Sequence, residues 1–375
     1  MISMVMATRM RFATMIPAGL LGFAVALTAQ PTQHYKQTNL VSDMPGVAAT
    51  TDPNLVNAWG MSRGSTTPWW VSDNGTGVAT LYTGTGSPVS LVVTIPAGTS
   101  GQTGTPSGQV FNGTTDFEVA PGFPAKFIFV TEDGTVSAWN PGVKATQAVI
   151  KLNTKGASGF KGIAMATVGN PQGVHSNYLY IADFHRGRVL VLNSKWQRAT
   201  FGDNDDDDSF VDERLPAGFA PFNVQNIGGR IYVAFAMQDS AKHDDVPGAG
   251  LGYVDVFSTQ GRLLQRLQHT DWMNAPWGIT QAPTDFGANS HDILVGQFGS
   301  GNILAFDPVT GNFMGPLYGT DNKPIMIDGL WGLSFGNDGN AGLATALYFT
   351  AGPDDESHGL FGTLTAVENM LGGDQ

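Results

Sequence analysis

Asn57-Ala58-Trp59-Gly60, then Trp69-Trp70-Val71-Ser72-Asp73, then the turn Asn74-Gly75-Thr76-Gly77 form the stretch that decides the fold. An apolar opening is followed by a β-rich run and by a turn whose Asn and Gly accept positive φ, which is hairpin chemistry. The unit recurs. Its opening returns as Thr115-Asp116-Phe117-Glu118, Phe160-Lys161-Gly162-Ile163, Pro221-Phe222-Asn223-Val224, Ala275-Pro276-Trp277-Gly278 and Gly329-Leu330-Trp331-Gly332. Its β-rich run returns at Phe127–Asp133, Tyr178–Asp183, Ile231–Ala236, Ile293–Gln297 and Leu347–Ala351. Such units at a period of about 40–60 residues, all strand and turn, are the mark of propeller blades. The expected fold is all-β: a six-bladed β-propeller of four-stranded antiparallel blades.

The sixth copy runs out one strand short, because only Glu368 to Gln375 follow Gly359–Val367. A strand without a partner, Tyr35–Val41, precedes the first copy. Placing it in the last blade closes the ring and covers two unpaired edges. Turn signals with His or acidic residues separate the second and third strands: Glu132-Asp133-Gly134, His185-Arg186-Gly187, Gln238 to Gly250 (a long insertion in blade four) and Gly352 to His358. Trp59, Trp277 and Trp331 share one blade position, with Phe117 and Phe222 standing in elsewhere. Repetition around the ring favours packing for them, as for Trp69, Trp70 and Trp139, over a sugar platform.

The chain has 375 residues with 49 Gly and 21 Pro, which suits frequent turns, and only 13% charged residues. Its net charge of −12 and the lack of a basic stripe argue against nucleic acid. There is no Cys, and so no disulfide, thiol nucleophile or thiolate metal site. Arg9 and Arg11 precede the apolar run Phe12 to Leu27, and small residues follow at Ala24-Val25-Ala26 and Ala29. This is the layout of a cleavable secretion signal over residues 1–29, with one propeller domain at 30–375. The expected location is secreted or periplasmic, as a monomer with no membrane span after cleavage.

In a propeller, the turns between second and third strands share a face with the connections that lead into each inner strand, so their polar residues converge at one mouth of the channel. His185, His243 and His358 all fall in such turns and are the catalytic candidates. Asn57, Asp73, Asp133, Asp183, Asn223, Asn274 and Asp328 are candidate ligand-binding residues. Asp183 and Asp244 are candidate ligands for Ca²⁺, with Asp205 and Asp207 of the acidic run Asp203–Glu213 offering a looser site. That run is no EF-hand: Asp208 stands where the sharp turn needs Gly, and Arg214 where the bidentate Glu belongs.

Leu215–Gln225, Asn274–Gly278, Ile327–Trp331 and Leu347–Pro353 resemble a largely uncharacterised family of exported six-bladed propellers, some of which carry a Pro-Glu-Pro sorting tail. The resemblance spans about residues 35 to 367 and implies fold and export, with no reaction attached. This chain ends Gly372-Gly373-Asp374-Gln375 without the tail pattern, so free release is expected. More distantly, the layout is similar to NHL-repeat propellers and to calcium-dependent lactonases, a likeness of fold alone. Two functions stay open: a metal-assisted hydrolase or lactonase acting on a small molecule, and a non-catalytic binding or scaffold protein for an extracellular partner.

Overall fold

The computed structural model describes residues 33–169, 172–201 and 209–367, with Met1. The expected signal segment therefore lies outside the described residues, as do Asp205 and Asp207. Among the described residues no helix is long and apolar enough to cross a membrane.

Six sheets stand around one axis. Blade one orders its strands Ala58–Ser62, Trp69–Asp73, Val78–Tyr82 and Val93–Thr94 from the channel outward. Blade four uses Phe219–Ile227, Arg230–Met237, Gly252–Ser258 and Leu263–Arg266, and blade five Pro276–Gln281, Ile293–Gln297, Ile303–Phe306 and Phe313–Pro316. Blade six takes Leu330–Phe335, Leu347–Ala351 and Leu360–Val367 from the end of the chain, and His34–Ser42 from its start as the next strand. The closing pair is antiparallel, with His34 opposite Val367 and Ser42 opposite Leu360. Tyr35 anchors it: its ring stacks on Phe286 at 4.5 Å, and its hydroxyl donates to the Phe286 carbonyl at 2.9 Å.

Two expectations need correction. The inner strand of blade two is Pro106–Phe111, not the Thr115–Glu118 segment, which leads into a small outlying hairpin of Glu118–Ala120 and Phe123–Pro124. Hence Phe117 does not stand in for tryptophan; it packs among Val119, Ile128 and Leu179 in the core shared by blades two and three. Among the described residues blade three is three-stranded (Phe160–Gly169, His175–Asp183, Arg188–Asn193), with a single bridge, Leu192 to Arg198, beyond the third strand.

Neighbouring blades bury large rings between them. Trp70 of blade one stacks on Phe127 of blade two at 4.1 Å, and Trp69 lies 5.1 Å from Tyr348 of blade six. Each such side chain contributes about 1.5–3 kcal/mol by burial. Trp139 lies 4.8 Å from Trp70, and the packing role expected for Trp69, Trp70 and Trp139 follows from these contacts.

The inner strands share a further device. Against its second strand, each carries one extra residue at the same place: between Ala58 and Met61, Pro106 and Gln109, Phe160 and Gly162, Pro221 and Asn223, Pro276 and Ile279, and Leu330 and Leu333. A bulge re-aims the side chain it contains. The residues so placed are Trp59, Ser107, Lys161, Phe222, Trp277 and Trp331. Small residues follow most of them because the inner strands meet there. A Cβ on Gly278 would stand 2.5 Å from the Trp331 carbonyl oxygen, and one on Gly108 2.7 Å from the Gly162 Cα. The channel between the strands is a slot of about 40 Å³, widening at one end to a chamber of about 280 Å³ lined by Met61, Gln109, Met165 and Gln225.

Candidate functional site

Five of the six bulge positions hold an aromatic or a small residue, and the sixth holds Lys161. Its side chain is only 2% exposed. The ammonium lies 5.1 Å above the Trp59 ring and 5.9 Å from the Phe184 ring, near enough for cation–π attraction. Below it Trp59 stacks on Trp331 at 3.9 Å, and Trp277 lies 5.8 Å from Trp331, so the tryptophans form an aromatic floor at the ring centre. Two carboxylates hold the ammonium: Glu132, from the turn of blade two, and Asp244 at 3.3 Å, from the long insertion of blade four.

A polar network spreads from this ion pair. Glu132 accepts from the Asn74 amide of blade one at 2.8 Å. Asn57 lies 3.3 Å from Asn74, donates to Glu356 of blade six at 2.8 Å, and accepts from the Trp331 indole at 3.0 Å. His243 meets Asp244 at 2.9 Å. Blades one, two, three, four and six thus all contribute. Glu356 is presented by an unusual turn: Asp354, Asp355 and Glu356 all have left-handed φ, at 55°, 54° and 64°. For non-glycine residues that conformation costs about 1–2 kcal/mol each, and such strain concentrates at functional sites.

Charge is out of balance here, with four carboxyls (Glu132, Asp244, Asp245, Glu356) facing one ammonium. Burial works to lower the Lys161 pKa, but Glu132 and Asp244 outweigh it and the net shift is upward. Burial pushes Glu356 up to about 7, helped by repulsion from Glu132 and opposed by the Asn57 hydrogen bond and by Lys161. Asp245 is also pushed up to about 7 by burial, against the pull of Lys161. Asp244 stays low: burial would raise it, and Lys161 and His243 together overcome that. At neutral pH the site therefore pairs a fixed ammonium with carboxyls poised to give or take a proton.

Glu132, His243 and Asp244 bring donor atoms within 4.8 Å of one another. The set does not suit Ca²⁺, which prefers six or more oxygen ligands, since one donor is an imidazole and the Lys161 ammonium already bridges the two carboxylates.

Among the candidates from sequence, the structure brings Asn57, Asp244 and His243 into this network. His185 lies beside it, its Nδ1 3.2 Å from the Lys242 carbonyl oxygen. Two others brace the Glu356 turn: Asp328 accepts from the Asp354 backbone N–H at 2.9 Å, and His358 meets Asp43 at 2.7 Å. The rest are placed elsewhere. Asp73 is fully buried within blade one, burial raising its pKa well above the usual carboxylate value. Asp133 accepts from the Gly98 N–H at 2.6 Å, tying blade two to the connection before it. Asp183 accepts from Ser158 at 3.0 Å and Arg188 at 3.3 Å. Asn223 donates to the Trp277 carbonyl at 2.8 Å, joining adjacent inner strands, and Asn274 accepts from the Gly248 N–H at 2.6 Å. Sequence reasoning passed over Lys161, and it placed Glu132 and Glu356 among the acidic residues of the convergent turns without selecting either for a role. The signal for Lys161 was present: a lysine where four other blades carry Trp or Phe.

Sheets, bulges and closure define the chain as a six-bladed β-propeller. No family model matches it. Two uncharacterised proteins of Acanthamoeba polyphaga mimivirus do: R648, 31% identical over 341 residues, and L690, 30% identical over 342. Each alignment covers 88% of this chain, and 80% and 85% of the respective relatives. The chain belongs to the family of these proteins. Among solved structures, a Bacteroides thetaiotaomicron protein of unknown function is similar with a TM-score of 0.52 at 10% identity, over 89% of this chain and 76% of that one. That likeness shows the fold alone. A streptogramin B lyase, at a TM-score of 0.48, 12% identity and coverage of 89% and 98%, is too remote to inform the chemistry.

Proposed function

We propose that the channel mouth around Lys161 is an acid–base site acting on a small polar ester or lactone. The observation that carries this is the buried Lys161 ammonium at a bulge position on the ring axis, held by Glu132 and Asp244, with Glu356 brought into the same network on a strained turn. In this reading Glu356 is the general acid and base, because burial sets its pKa near working pH. Lys161 supplies fixed positive charge toward the negative charge that develops on a carbonyl oxygen during attack by water. Asn57 positions Glu356 through its 2.8 Å hydrogen bond. The reaction needs no metal in this form. Lys161 supplies positive charge beside Asp244, one of the carboxylates expected to bind Ca²⁺.

The test is hydrolysis of a panel of aryl esters and of five- and six-membered lactones by the wild type and by Glu356→Gln. The variant keeps an acceptor for Asn57 and loses the titrating proton. General acid–base catalysis contributes about 10²–10⁴ in rate, so a loss of that size is expected with the fold unchanged. Turnover that survives in Glu356→Gln would refute the role. If no member of the panel is turned over, the non-catalytic alternative is favoured, with the same mouth as a binding surface for an extracellular partner.

A further inference from the structure

A larger cavity lies on the same face as Lys161 but apart from it. It has a volume of about 1120 Å³ and sits over blade five, between the connection into that blade and the one leaving it. The closing strand contributes Tyr35, and the connection into blade five contributes Trp272. Leu304, Phe313 and Ile325 complete an apolar floor. The indole of Trp272 stacks on Phe313 at 4.2 Å and 15°, which makes a flat aromatic wall. Met326, at the rim, is 71% exposed, a large apolar side chain with nothing to cover it. Charges sit at the edge in opposite signs: Asp271 and Asp321 against Lys36 and Lys323.

Two polar atoms of the lining residues have no partner. Among the described residues the Trp272 Nε1–H and the Ser300 hydroxyl are both buried without a hydrogen bond. Each such group costs about 1–3 kcal/mol unless something answers it, and native structures leave few of them. A ligand oxygen that reached the indole N–H on a small shift of the ring would recover that cost.

We propose that this cavity binds a flat apolar small molecule carrying an oxygen acceptor, such as a conjugated ring with a carbonyl. The volume is slightly above what small-molecule pockets commonly use, about 300–1,000 Å³, and apolar walls with a few fixed polar groups are their usual lining. The ring body would lie along the Trp272–Phe313 wall and the oxygen would accept from Trp272. The balanced rim charge fits a neutral ligand better than an ionic one.

The probes are 2-acetylnaphthalene and 2-ethylnaphthalene, which share a body and differ in the acceptor. With eight Trp in the chain, the indole N–H signals are few enough to assign Trp272 by its loss in Trp272→Phe. The ketone is expected to bind one to one and move the Trp272 signal. The ethyl compound should bind about tenfold more weakly, the difference that one hydrogen bond of about 1.4 kcal/mol makes. Trp272→Phe should abolish that preference, and Met326→Asp should weaken both probes while leaving any turnover at the Lys161 mouth unchanged. A Trp272 signal that does not move, equal affinity of the two probes, or binding untouched by Met326→Asp would each overturn the proposal.

Discussion

Lys161 replaces an aromatic ring with an ammonium at the centre of the molecule, and its neighbours answer the change. An isolated buried lysine would lose its proton. Here Glu132 and Asp244 hold it charged, and together with Glu356 they surround it with more negative than positive charge. Removing the cation from such a pair costs about 3–5 kcal/mol, chiefly because charge is left buried and unanswered. Lys161→Met should therefore lower the unfolding free energy by that order. It should also free the carboxyl groups of Glu132, Asp244, Asp245 and Glu356 to supply oxygen ligands without the imidazole, so that Ca²⁺ raises the melting temperature of the variant and leaves the wild type unmoved. A ligand present at a hundred times its dissociation constant stabilises by about 2.7 kcal/mol, well within thermal-shift resolution. A wild-type shift with Ca²⁺, reversed by chelation, would mean that the lysine is not the resident cation. Residue type, together with a place in the turns between second and third strands, drew attention to the histidines and aspartates. Lys161 was not singled out and Glu356 was only one acidic turn residue among several, because their roles come from burial and from partners about 30 to 300 positions away, which no local pattern encodes.

The blade hairpins were legible because their cause is local: β-rich runs ending in Asn-Gly or acidic-Gly turns fix strand, turn and register together. Blade two shows where local signals mislead. Thr115–Glu118 carries an aromatic in the expected spacing, yet Pro106–Phe111 takes the inner place, where the Ser107 backbone and Gly108 pack closely against Gly60, and Gly108 against Gly162. The bulges were not legible at all, since an extra residue is defined only against its partner strand. Their tight contacts give a test. Gly278→Ala would drive a Cβ to 2.5 Å from the Trp331 carbonyl oxygen, an overpacked contact against backbone. Chemical denaturation should register a loss of about 1–3 kcal/mol. Gly159→Ala, whose Cβ would meet nothing closer than 3.5 Å, should be near neutral. Equal effects would mean that the inner strands have room to spread, and that the bulge residues are less firmly placed than the site requires.

For the whole molecule, closure by His34–Ser42 was legible because an unpaired strand at one end matched a missing one at the other. What closure accomplishes at the mouth was not: it sets Asp43 against His358 and so holds the end of the turn that carries Glu356. The molecule thereby keeps a buried acid that its stability would be better without. The sign follows from linkage. Glu356 titrates near 4.5 when unfolded and near 7 when folded. Between those values the folded state retains a proton that the unfolded state releases, so the wild type loses stability as pH rises through that window, and the loss is complete above about 7. Asp245 adds a loss of the same sign, which cancels between wild type and a Glu356 variant. The decisive measurement is the unfolding free energy of the wild type and of Glu356→Gln at pH 4.5 and at pH 8. The account predicts that the variant gains on the wild type between those two pH values, by about 1–3 kcal/mol. That range follows from about 1.4 kcal/mol for each pH unit between the folded and unfolded midpoints, discounted for partial solvent access. A variant that gains nothing, or is less stable at pH 8, would contradict it and leave Glu356 as an ordinary hydrogen-bond partner of Asn57.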